Sequence, residues 1–143
     1  MYISLKEAHN LLGMILLFGL FLIVMIILIS FLRKKPFGKC SKITALTGLF
    51  LIHTQVSIGF ILYFLSPLGK NNFSVDSMGH PISRFYLVEH PVGMILAAIL
   101  ITMGYSKAKK AGISSRGKYK RILICYGIAF SIIAYLIPWF LWS

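Results

Sequence analysis

"FYLVEHPVGMILAAILITMGYS", residues 85–106, decides what kind of fold the chain adopts. Taken whole, it is long enough to cross a bilayer, which needs roughly 20 mostly apolar residues. Taken from Pro91 onward, it leaves about sixteen residues, or about 24 Å of helix, short of the hydrocarbon core. Pro91 therefore belongs inside the helix. There it deprives the Leu87 carbonyl of its usual N–H donor and bends the segment. Glu89 and His90 then lie within the membrane-spanning stretch. A carboxylate at such a depth costs about 3 kcal/mol on insertion scales, which makes it a functional candidate by default.

Three further runs have the same character: Leu11–Leu32, Ile43–Leu65 and Ile122–Trp142. Hydrophobic residues make up 58% of the 143 and there are only three acids, whereas a soluble domain carries charge on about a quarter of its residues. The expected fold is all-α, a single membrane-spanning four-helix bundle of up-down topology over residues 1–143. Its helices are expected at about 5–32, 43–65, 84–106 and 122–142. Ser4-Leu5-Lys6-Glu7 has capping-box spacing and predicts a first-helix start near Leu5. The first run is too long for a cleaved signal peptide, and its basic cluster follows rather than precedes it. In the fourth, Tyr135, Trp139 and Trp142 suit an interfacial belt.

Twelve of the fifteen lysines and arginines fall in two acid-free loops, Arg33–Lys42 and Lys107–Arg121. Glu7, Asp76 and Glu89 lie toward the opposite side. The positive-inside rule then puts both loops in the cytoplasm and both termini outside. Orientation alone accounts for the +12 charge, so no nucleic-acid partner is expected; the lipid bilayer is, and its anionic headgroups suit the loops. Cys40 and Cys125 lack metal-ligand spacing and read as reduced structural thiols. No nucleotide motif, thiol pair or nucleophile–base arrangement stands out.

Small residues mark the expected packing faces, because they let membrane helices approach closely. Ala45, Gly48, Ile52, Gln55, Gly59 and Leu62 form one such face. His90, Gly93, Ala97, Ile101 and Gly104 form a second, and Gly127, Ser131 and Ala134 a shorter third. His90 is thereby expected to face protein. Gln55 lies on the small-residue face, and His53, about 200° away on the wheel, shares its own face with Ser57 and Phe60.

His9, His53 and His90 on three helices suggest b-type haem, which imidazoles on facing helices can hold. Counted from the nearest basic residue on each helix, His53 lies about 16 Å deep, His90 about 25 Å and His9 about 36 Å. On this scale His9 and His53 cannot share one iron, and His90 misses either by roughly 10 Å. The alternatives are a proton ladder, or structural imidazoles each bonded to its own carbonyl. Glu89 is either a cap paired with Lys6 or Arg84, or part of a polar pocket with His90 and the His9 flank. Met14 and Met94 make copper conceivable, but lone methionines on apolar helices usually pack.

"LKEAHNLLG", "HTQVSIGFILYFLSP", "SRFYLVEHPVGMILAAILITMGYSKAKK" and the final "IPW" resemble small bacterial four-helix membrane proteins commonly labelled cytochrome-b-like. The resemblance covers nearly the whole chain and implies haem b held through His9, His53 or His90, in a bacterial cytoplasmic membrane. The Lys6-x-x-His9 start is also similar to membrane protoporphyrinogen oxidases and copper-resistance proteins. Those oxidases have a lysine near the start of helix three, where this chain has Glu89 and His90. The expected function is membrane electron transfer through haem b, with quinone as a possible acceptor and His9, His53, Gln55, Glu89 and His90 as site residues. The alternatives are an accessory or assembly subunit of a larger membrane complex, and transport of protons or a metal.

Overall fold

The computed structural model describes residues 1–141 and, among these, contains helices and connections but no strand. In chain order the helices are α1 (Tyr2–Leu32), α2 (Lys39–Leu65), two short ones, α3 (Val75–Gly79) and α4 (Pro81–Arg84), then α5 (His90–Ala108) and α6 (Ser115–Leu136). A π-helical turn, Phe85–Glu89, joins α4 to α5, so Pro81–Ala108 forms one span with Pro91 inside it. This span and α1, α2 and α6 are each long and apolar enough to cross a membrane. Such a set marks a multi-pass membrane protein.

The helices outrun their apolar stretches. α2 begins at Lys39, α6 at Ser115 and the third span at Pro81, because Lys and Arg are good helix formers and extend a helix into the polar interface. Ser114 caps α6 by accepting from the Gly117 N–H. The capping box expected at Ser4 does not form, since α1 already starts at Tyr2. α6 stops at Leu136 rather than near 142: Ile137 is extended, as the residue before a proline prefers, and a 3₁₀ turn over Trp139–Leu141 follows. Trp142, assigned above to the interfacial belt, lies outside the described residues.

The spans pack in a ring, α1 on α2, α2 on α5, α5 on α6 and α6 on α1. Neighbours run antiparallel. The Tyr2 and Ser66 hydroxyls meet at 3.2 Å, and the Phe37 N–H donates to Ser115 Oγ at 2.9 Å. One end of the bundle therefore gathers the start of α1 and the end of α6. It is called the termini end below, and the opposite, lysine-rich end the basic end.

Small residues on α2 and α5 receive large ones from α1 and α6. Ala45, Gly48, Ile52, Gln55 and Leu62 are buried on α2, and Gly93, Ala97, Ile101 and Gly104 on α5, as their 3–4 spacing predicts. Tyr126 fills the middle. A Cβ at Gly48 would lie 3.0 Å from its ring and one at Gly104 3.3 Å, while its hydroxyl donates to the Ala45 carbonyl at 2.7 Å. The small face expected on α6 is not the packing face. Ser131 is exposed and its hydroxyl donates back to the Gly127 carbonyl, whereas Tyr119, Ile122, Tyr126, Ala129 and Ile133 point inward. Notches on two helices need bulk from the others, and α6 supplies it.

Candidate functional site

Near the termini end, α1 and α2 each place a polar side chain against the other's glycine. The His9 ring covers Gly59, where a Cβ would come within 3.0 Å of its Cε1. The Gln55 amide covers Gly13, where a Cβ would come within 3.0 Å of Nε2. Both pairs are four apart on their helices, so one antiparallel register brings both contacts about. Gln55 Nε2 donates to the His9 backbone carbonyl at 2.7 Å. Among the described residues, Gln55 Oε1 and His9 Nδ1 are buried without a hydrogen-bond partner. Each such group costs about 1–3 kcal/mol.

His90 reaches the same place from α5. Its ring centroid lies 6.3 Å from that of His9, with planes at 77°. Its Nδ1–H donates to the Leu136 carbonyl at 2.7 Å, which in the neutral imidazole leaves the Nε2 lone pair free. The Phe85 ring flanks its other side at 5.6 Å. Gly93, one turn on, is where α6 comes closest: a Cβ there would overlap the Leu136 side chain.

The depth scale separated His9 from His90 because its reference residues are not level. Gly48 meets Tyr126, Leu20 and Ile23, and Gly104 meets the same Tyr126 ring, so past that common level Lys107 lies three residues on, Lys42 six and Arg33 at least ten. His53 stands apart from the pair. It is exposed on the outer face of α2 and donates from Nε2 to Thr102 Oγ1 at 3.0 Å, since the Thr102 hydroxyl is itself committed to the Ala98 carbonyl. Thr102 is twelve residues beyond His90, roughly 18 Å along the helix.

Glu89 also lies outside, in the cap paired with Arg84 that is one of its two expected places and not in the polar pocket that is the other. It is exposed and accepts from Arg84 Nε at 2.9 Å. About 100° of helical rotation separates it from the inward-facing His90, so burying one turns the other out. Of His9 and its Lys6-Glu7 flank, only His9 takes part, Lys6 and Glu7 being exposed. The Leu87 carbonyl released by Pro91 takes the Tyr63 hydroxyl of α2 at 3.1 Å. Tyr63 carried no signal beyond its place near the end of an apolar run.

Two imidazoles on opposite sides of one metal ion have ring centroids roughly 6 Å apart, and a ligating histidine usually donates its second nitrogen to a carbonyl or carboxylate. The separation, the Leu136 anchor and the unpartnered His9 Nδ1 make His9 and His90 the residues that would hold a metal-centred group there. A macrocycle needs more room. Gln55, His9 and Leu136 already occupy the notches at Gly13, Gly59 and Gly93. Among the described residues no three His, Cys, Asp or Glu side chains gather as a metal site. Met94 packs against the core.

No family model matches this chain, and neither does any curated protein or solved structure.

Proposed function

We propose that the chain is an integral membrane protein that holds haem b between His9 and His90 and passes electrons within the membrane. The observation that carries this reading is the His9–His90 pair, with one ring anchored through Nδ1 on a backbone carbonyl and the other buried with Nδ1 unpartnered. When bound, the group would supply one-electron redox chemistry. The chain's part is to fix the two rings. Leu136 sets the orientation of His90, Gly59 sets how closely His9 approaches α2, and Gln55 ties the α1 backbone at His9 to α2. Quinone suits the apolar surroundings as the acceptor. The bacterial cytoplasmic membrane, with both termini outside, is the placement supported by the twelve basic residues in two acid-free loops.

A second reading has its own support: the bundle is an accessory or assembly subunit whose polar side chains hold helices together. The filled glycine notches favour it, as do the bonds from His90 to Leu136 and from His53 to Thr102. The reduced-minus-oxidised visible spectrum of the purified protein, as isolated and after haem titration, separates the two. A sharp haem band that is lost in His9→Ala and His90→Ala and kept in His53→Ala supports the first. Absence of a band after titration, or a band that depends on His53 and not on His9, rejects it.

A further inference from the structure

The basic end carries a second feature that the histidine pair does not use. A cleft of about 240 Å³ opens there between the start of α2 and the facing ends of α5 and α6. Lys39 and Lys42 of α2, Lys109 beyond α5 and Lys118 of α6 line it, together with Phe37 and Tyr105. Two of these ammonium groups are seated on aromatic faces: Lys109 Nζ lies 5.3 Å from the Tyr105 ring centroid and Lys118 Nζ 5.6 Å from that of Phe37. Such contacts hold a cation in place without neutralising it. The Phe37 seat is itself fixed, by its N–H bond to Ser115 Oγ and by the Tyr119 ring at 5.1 Å.

Among the described residues no side-chain carboxylate answers these lysines. The three carboxylates of the sequence, Glu7, Asp76 and Glu89, belong to the termini end, and the ion pairs among the described residues, Asp76–His80 and Arg84–Glu89, are there too. Orientation in the membrane accounts for how many basic residues the loops carry. It does not account for four of them, from two helices and a loop, lining one cleft with two aromatic seats. A phosphate group fits by charge and size, and the cleft sits where four membrane-crossing helices end, the level of lipid headgroups.

We propose that this cleft binds a single phosphate group, carried by an anionic phospholipid headgroup or taken as free phosphate. The test uses the full chain purified in neutral detergent, with binding followed by native mass spectrometry. Phosphatidylglycerol, phosphatidylcholine and inorganic phosphate are offered separately and in competition. The expected result is retention of phosphatidylglycerol over phosphatidylcholine. Lys42→Gln with Lys109→Gln should weaken that retention by roughly tenfold or more. Lys110→Gln with Lys120→Gln, which removes the same charge outside the cleft, should change it by about twofold at most. Resistance of the bound lipid to millimolar phosphate assigns the site to the headgroup. Displacement by phosphate, with phosphate binding in the absence of lipid, assigns it to the free anion. Equal loss from both double variants, or equal retention of the neutral lipid with no phosphate bound, overturns the proposal.

Discussion

At the termini end, side chains take carbonyls that a proline or a helix end has left bare; at the basic end they tie exposed loops down and seat lysines on aromatic faces. The first pattern follows from proline. Pro91 and Pro138 lack the N–H that would have bonded the Leu87 and Ala134 carbonyls, and Tyr63 Oη and Trp139 Nε1 donate to them instead. The Leu136 carbonyl, left at the last turn of α6, takes His90. The second pattern follows from charge. The basic loops cannot enter lipid, so they are tied down by Ser41–Tyr119–Pro36 and Phe37–Ser115 bonds while their lysines lie over Tyr105 and Phe37. The difference teaches where each kind of polar residue can sit in such a bundle. Neutral donors take backbone carbonyls, including those that have lost their helical partner, and charges stay at the rim.

The largest expected effect concerns which end faces the cytoplasm, and it is all-or-none. With Cys40 and Cys125 replaced by serine, Gly38→Cys should resist a membrane-impermeant thiol reagent in intact cells, and Asn72→Cys should react. A Cβ at Gly38 meets nothing within 4 Å, so that variant should fold. The reverse labelling pattern would invert the orientation and with it the meaning of both ends.

A smaller effect compares the polar bonds themselves. Tyr63→Phe leaves the proline-released Leu87 carbonyl without its hydroxyl partner and should cost about 1 kcal/mol in detergent unfolding. Tyr119→Phe at the basic end should cost half of that or less, because both partners it leaves, the half-buried Ser41 hydroxyl and the Pro36 carbonyl of an exposed turn, can turn to water. Equal costs would erase the distinction between the ends.

The smallest is Glu89→Gln. Its exposed pair with Arg84 predicts a change of about 0.5 kcal/mol or less. Because Glu89 does not touch the histidine pair, any haem band should keep its position. A shift of that band would bring Glu89 back into the site.

Four spans, the place of Pro91 inside the third and the inward faces of α2 and α5 could be read from the sequence. Apolar length, proline chemistry and small-residue spacing are local properties, set within one helix. Gln55 was legible on the same grounds, as the polar member of a glycine and alanine stripe. The α6 face was not, because Gly127, Ser131 and Ala134 make as good a stripe as any; only the notches at Gly48 and Gly104 require Tyr126 to turn inward. The histidines divide in the same way. That His9, His53 and His90 occupy three different helices is a matter of sequence. Which two meet depends on how far α1 slides along α2, and counting from loop lysines cannot give that slide because the helices overrun their loops unequally. The slide that seats His9 on Gly59 and Gln55 on Gly13 brings His9 to His90 and leaves His53 to Thr102. Composition determined that the chain is a set of membrane-length helices; the register of one helix on another, fixed by where glycines let backbones close up, decided which of its polar residues share a site.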